Sequence, residues 1–231
     1  MKIAIHQPNF IPWAGYFYKL LCADKFIFFD TVQFPRGKSY CSRAKIKTPG
    51  GERWLTVPVS SKGKLLPIRD VQIAGDSWIK KHLGTIKGAY GKAPFFTTFI
   101  SDIRNLYHTA PPLIADLNIE LITYLSSVLG AKTELIRASS LNVPLNQTDN
   151  YIVTLVKSMG GTVYITGQGE GTKRYMNERL FCKTGIQVEY LHYKDVRYPQ
   201  LWGDFVPGLS TLDVLLNTGP QARDIILSGG M

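Results

Sequence analysis

The sequence predicts an α/β fold: a mainly parallel sheet of βαβ units with an inserted basic hairpin and a helical cap. Three observations predict it. The chain opens on a strand, a polar loop, a helix and an apolar strand, all before Asp30. Short apolar runs then recur between helical stretches, as alternating elements of a parallel sheet do. Later, Val163-Tyr164-Ile165-Thr166 opens directly into a glycine-rich turn followed by a helix.

Taken in order, Lys2-Ile3-Ala4-Ile5 forms the first strand. Gln7-Pro8 ends it, because proline cannot donate to a sheet ladder. A helix from about Trp13 puts Tyr16, Phe17, Leu20 and Leu21 at helical spacing. Phe26 to Phe29 is apolar throughout, which suits a strand buried on both faces. Ligands of such units sit beyond the carboxyl ends of the strands. His6-Gln7 leaves the first strand there and Asp30 leaves the second, so these polar groups mark a candidate site. Each also has a plainer role, the histidine as a structural residue and the aspartate as the cap of the next turn.

Pro35-Arg36-Gly37-Lys38 is a basic loop. Arg43 to Lys47 and Arg53 to Val59 flank Thr48-Pro49-Gly50-Gly51-Glu52, a hairpin signal. Arg43, Lys45 and Lys47 alternate and so share a face. They form a candidate phosphate-facing rail, although charge also protects edge strands. Ser60 to Pro67 is a second basic loop, and Ile68, Val71 and Ile73 suggest a short strand. Trp78 to Tyr90 reads as a helix that sets His82 on one face with Trp78, Thr85 and Ala89. Phe95 to His108 and Leu113 to Leu129 are further helices, parted by Thr109-Ala110-Pro111-Pro112. Residues 1–231 are expected to form a single α/β domain, with 35–75 as the hairpin insertion and 76–130 as the helical cap.

Thr133 to Arg137 is a strand and Asn150 to Met159 a helix. The strand Val163–Thr166 feeds Gly167-Gln168-Gly169-Glu170-Gly171-Thr172-Lys173-Arg174-Tyr175, then a helix to about Cys182. Strand, glycine loop and helix is a setting in which backbone amides hold an anion. Gly169, Lys173 and Tyr175 are the candidates there. The spacing is not that of a Walker loop, and an ordinary strand-to-helix connection accounts for it as well. Ile186 to Leu191 is a strand, and Tyr198 to Gly203 a rigid aromatic loop. Ser210 is a natural N-cap for Thr211 to Leu216, with Asp213 at N3 in the manner of a capping box. A helix from Pro220 to Leu227 follows.

The chain has 231 residues, of which 45% are hydrophobic, enough for a full core. No apolar run reaches membrane-spanning length, and the N-terminus lacks a signal-peptide core. Cys22, Cys41 and Cys182 are odd in number and widely spaced, which points to reduced thiols in the cytoplasm with no metal site. Charge is uneven. The chain carries 27 basic and 17 acidic residues, and the whole excess of +10 lies between Arg36 and Lys92. Tyr40, Trp54, Trp78 and Tyr90 are interleaved with it. That pattern suits a polyanionic partner such as RNA, a nucleotide or a diphosphate, or simply a solvated basic face.

Several short motifs stand out in combination. They are His6-Gln7-Pro8 with Pro12-Trp13 and Gly15-Tyr16-Phe17, then Asp30, then Trp54-Leu55-Thr56-Val57-Pro58-Val59. Downstream come His82 with Ala89-Tyr90 and Ala93-Pro94-Phe95. Tyr198-Pro199-Gln200, Leu209-Ser210, Asp213-Val214-Leu215 and Asn217-Thr218-Gly219 complete the set. In combination these motifs resemble the WbqC-like protein family, and the resemblance covers essentially the whole chain. The family usually has Asn-Arg in the basic hairpin where this chain has Ser42-Arg43, so a side-chain amide role there does not carry over. The resemblance implies a link to O-antigen and other surface-polysaccharide clusters, and to attachment of amino-acid or acyl groups to amino sugars. More distantly, Trp13-Ala14-Gly15-Tyr16 sits where HIGH-type nucleotidyltransferases carry H-x-G-H, with both histidines missing.

The expected activity is a cytoplasmic transferase moving a glycyl or other acyl group onto the amine of a nucleotide-linked amino sugar. Such a reaction needs a base and a donor for the developing oxyanion. His6 or His82 is the expected base, with Asp30 orienting it. Gln7, Gln33 or Tyr90 is the expected donor, and Arg43, Lys45, Gly169, Lys173 and Tyr175 the binding groups. The acyl donor is free amino acid with ATP, acyl-CoA or aminoacyl-tRNA, and no membrane partner is expected. The alternatives are nucleotidyl transfer, which usually needs Mg²⁺, and a non-catalytic RNA or nucleotide-sugar binding module.

Overall fold

Five short runs rich in Ile, Phe, Val and Tyr become the strands of one sheet. In this computed structural model, which describes residues 1–60, 65–144, 148–169 and 177–231, every pairing in that sheet is parallel. The chain begins β1 (Lys2–His6), α1 (Ala14–Leu21) and β2 (Lys25–Phe28). The hairpin β3 (Arg43–Thr48) and β4 (Gly51–Thr56) follows, then the small strands β5 (Val59–Ser60) and β6 (Gln72–Ile73). Three helices come next: α2 (Ser77–Tyr90), α3 (Phe96–His108) and α4 (Ile114–Val128). The second half runs β7 (Glu134–Arg137), α5 (Thr148–Ser158), β8 (Val163–Thr166), α6 (Glu178–Thr184) and β9 (Gln187–Tyr190), closing with α7 (Thr211–Thr218) and α8 (Ala222–Ser228).

The strand order is β7-β2-β1-β8-β9. Successive strands run outward from β1 in one direction, then in the other, the doubly wound arrangement of nucleotide-binding α/β proteins. Alternation across the sheet decides what each face covers. Ala4, Phe26, Phe28 and Ile165 point into a large core shared with α1, the hairpin, α2, α3, α4, α7 and α8. Ile3, Ile5, Ile27 and Tyr164 point the other way, against Tyr151 and Val156 of α5 and Phe181 of α6. The switch point falls between the carboxyl ends of β1 and β8, where such folds leave a crevice.

Two local expectations need correction. The second hairpin arm stops at Thr56 rather than Val59, because Pro58 has no N–H to continue the ladder; the chain re-pairs as β5 with β6. The expected strand at Ile68 to Ile73 is mostly a 3₁₀ turn at Ile68–Asp70, leaving only Gln72–Ile73 as strand. Among the described residues no helix is long and apolar enough to cross a membrane.

Candidate active site at the sheet switch point

β1 delivers His6 to the mouth of the crevice. The ring Nδ1 lies 3.1 Å from the Gln7 carbonyl, so Nδ1 carries the proton and donates, which leaves Nε2 as the acceptor. Tyr16 packs edge-on against the ring at 4.7 Å. Burial, helped by the nearby Lys19 ammonium and opposed by the Gln7 hydrogen bond, lowers the His6 pKa to about 3. The imidazole is therefore neutral at working pH.

Two cavities meet at His6 and Trp13. One, of about 460 Å³, lies at the switch point between α1 and the turns that follow β8 and β9; Lys19, Gly169, His192 and Tyr193 line it. The other, of about 480 Å³, lies toward the hairpin, with Tyr40, Arg43, Lys45, Trp54 and Ser210 in its wall. Glycine makes the junction possible. A Cβ at Gly15 would sit 2.5 Å from the Trp13 indole, which folds back over the first turn of α1. The loop between β1 and α1 is strained as well: Ile11 holds φ at +37°, rare for a β-branched residue.

The hairpin cavity is cationic and aromatic. The Arg43 guanidinium lies 4.1 Å from the Trp54 ring centroid and 5.7 Å from that of Tyr40. Its Nε is buried without a hydrogen-bond partner. Tyr40, Trp54 and Trp13 are all exposed, with Tyr40 the most open at 59%. Flat exposed rings beside an unsatisfied guanidinium fit a base and a phosphate.

The structure brings together only part of the expected site. His6, Arg43, Lys45 and Gly169 line the cavities, but Lys45 is already paired with Glu52 at 3.0 Å. The three-cation rail does not exist as such: Lys47 is buried and donates to Gln200 and to the carbonyls of Gly203 and Asp204. Asp30 does not orient His6. It is fully buried, and its carboxylate accepts from the Ser139 amide at 3.0 Å and the Ser139 hydroxyl at 2.6 Å, tying the end of β2 to the turn after β7. Gln7 orients the ring through its carbonyl, while its side chain accepts from the Cys41 thiol. Burial pushes that thiol up to about 12, so it is no ready nucleophile. Gln33 is exposed, on a bridge to Pro67. Tyr90 is buried and donates to Asp213. Asp213 does not close a capping box: Ser210 caps α7 through Leu212, while Asp213 accepts from Tyr90 at 2.9 Å and Tyr198 at 2.8 Å. Lys173 and Tyr175 lie outside the described residues.

His82 likewise lines neither cavity. It is 5% exposed, between Trp78, Phe10 and Tyr107, with Nε2 donating to the Thr56 carbonyl at 3.1 Å. Burial lowers its pKa to about 4. A histidine depressed in the native state loses stability as pH falls, because the unfolded chain takes the proton first. The contribution is full above pH about 6.5 and lost by about 4, on the order of 3 kcal/mol. The melting temperature should fall across that window, and His82→Gln should flatten the slope. Burial raises Asp195 and Asp213, which act in the opposite sense; the effect is therefore read as wild type minus variant, and equal slopes would refute it.

One group went unread in the sequence. Lys19 on α1 is 8% exposed, donates to the Ile5 carbonyl at 3.0 Å, and lines the switch-point cavity. Its signal was a lone lysine inside Tyr16-Phe17-Tyr18-Lys19-Leu20-Leu21. Among the described residues no group of three or more His, Cys, Asp and Glu is placed to hold a metal ion.

A family model described as the WbqC-like protein family matches residues 7–225. The chain is similar to an uncharacterized protein of Mycobacterium tuberculosis, 34% identical over 231 residues that cover 97% of each chain. No solved structure matches it significantly.

Proposed function

The chain belongs to the WbqC-like protein family, a family tied to polysaccharide biosynthesis, and from that premise we propose a two-substrate acyl transfer centred on His6. The acceptor is the amine of a nucleotide-linked amino sugar and the donor an activated glycyl or other acyl group. The observation that carries this reading is the pair of cavities sharing His6 and Trp13. Two ligands bound in them would meet at the imidazole.

The hairpin cavity suits the nucleotide, with its base against Trp54 or Tyr40 and its diphosphate toward Arg43. The amine attacks the acyl carbon, and the bond from that carbon to the leaving group breaks. Nε2 of His6 takes the proton from the attacking nitrogen and returns it to the leaving group. A pKa near 3 leaves the ring unprotonated and ready. The oxyanion of the tetrahedral adduct supplies the counter-charge that makes the transient imidazolium affordable.

The test is product mass after incubation of a dTDP-linked amino sugar with amino acid plus ATP, acyl-CoA or aminoacyl-tRNA. An amide-linked product from one donor is expected. Its absence with all three defeats the reading.

A second reading, a binding module for RNA, is favoured by the exposed cations Arg36, Lys38 and Arg53 around the hairpin. Reversing these three to glutamate should weaken tRNA binding at least about tenfold and lower its salt dependence. Unchanged affinity would make the basic window a solubility feature. Lys47 is left in place, because reversing a buried cation would test folding instead.

A further inference from the structure

Lys19 is the strongest buried group that the transfer reading leaves unused. Its Nζ makes one hydrogen bond, to the Ile5 carbonyl. An ammonium has three donors, so two remain without a partner among the described residues, and no carboxylate there pairs with it. Burying an unpaired ammonium is costly. Burial accordingly lowers its pKa to about 7, so the charge is only half present at neutral pH.

Among the described residues the cavity that Lys19 borders offers it no carboxylate. Trp13, Tyr16, Tyr18 and Tyr193 are among its walls, and among the described residues its lining contains no aspartate or glutamate. His6 is neutral there. Its volume of about 460 Å³ falls within the range of small-ligand sites. A partly charged cation in an aromatic crevice at the switch point of a doubly wound sheet, with no anion beside it among the described residues, is a place for an anionic ligand.

We infer that the switch-point cavity binds a compact oxyanion, a carboxylate or phosphate carried by the donor, with Lys19 as its counter-ion. The inference rests on the transfer reading only for the identity of the ligand as donor; the anion site stands on the lysine and the cavity. Binding must recharge Lys19, so it takes up a proton wherever the free lysine is neutral.

Other titratable groups face Lys19. Burial raises Tyr16, Tyr18 and Tyr193, and His6 titrates far below the working range. Among the described residues the turn after β9 adds His192, bonded to Gln168 at 3.1 Å. Its glutamine variant removes the ring as a proton acceptor from the measurement below.

The experiment is calorimetry on the full chain with sulfate, standing in for phosphate, and acetate, standing in for carboxylate. Both probes hold fixed charge at pH 6 and pH 8, and two buffers of different ionisation enthalpy report proton uptake. The expected result is affinity about tenfold weaker at pH 8, with uptake near one proton at pH 8 and near none at pH 6. His192→Gln changes one wall of the cavity and can alter affinity, but it should still take up about one proton on binding at pH 8. Lys19→Met should abolish binding and raise the melting temperature of the unliganded protein. Preference for sulfate identifies a phosphate, and preference for acetate a carboxylate. Failure of both to bind wild type, binding at pH 8 without proton uptake, or uptake lost in His192→Gln would each overturn the inference. If Lys19→Met does not fold, wild-type proton uptake decides. Lys19-dependent anion binding without any transfer product removes the transfer reading and leaves the site standing; product without anion binding does the reverse.

Discussion

His6→Gln is expected to lower turnover by about 10²-fold or more, with the melting temperature nearly unchanged. Glutamine preserves hydrogen-bonding capacity toward the Gln7 carbonyl but cannot take and return a proton. The fold should tolerate it, because His6 sits at the last position of β1, on the cavity side, and the Phe29 amide bonds the His6 main-chain carbonyl rather than the ring. His82→Gln is the contrasting variant. It removes a ring packed among Trp78, Phe10 and Tyr107, so it should lower stability while turnover per folded molecule stays as in wild type. Normal turnover in a folded His6→Gln protein would discard His6 as the base. Loss of turnover in His82→Gln alone would assign the base to a residue that touches neither cavity.

Asp213→Ala should be the most destabilising of the single changes considered. The carboxylate is 1% exposed and accepts from the hydroxyls of Tyr90 on α2 and Tyr198 in the loop before α7. Removing it leaves the buried Tyr90 hydroxyl and the half-buried Tyr198 hydroxyl without their acceptor, a cost of roughly 1–3 kcal/mol for each donor left unsatisfied. Relief of the buried charge, whose pKa is raised chiefly by burial, offsets part of that. A net loss of about 3 kcal/mol, or about 10 °C in melting temperature, is expected. Asp213→Asn keeps one acceptor and should cost less. Equal melting temperatures for Asp213→Ala and wild type would mean the two tyrosines find other partners.

Much of the fold was legible because parallel strands buried on both faces must be continuous apolar runs, and Phe26–Phe29 and Val163–Thr166 are such runs. The hairpin was legible from its glycine loop. The site was legible only where strand ends place residues by topology alone, as with His6 and Gly169. Lys19 was hidden because lysine on a short helix normally faces water. Its burial comes from turns after β8 and β9, nearly 150 residues or more away in sequence. His82, Tyr90 and Asp213 have the chemistry of site residues, but their partners are Thr56, Lys47 and Tyr198, contacts that local pattern cannot reveal.

The strand order carries a consequence for how the protein is made. β1 is central in the sheet and is made before the other four strands, yet its neighbour β8 lies far along the chain: Lys2 pairs with Val163. At about 5–20 residues per second, β1 waits roughly 8–30 s for that partner. Meanwhile β2 can cover one edge, and the other edge stays an open, apolar template. The nascent chain should therefore need shielding by a holding chaperone until residues beyond Thr166 are clear of the exit tunnel, and refolding from denaturant should be slow and concentration-sensitive.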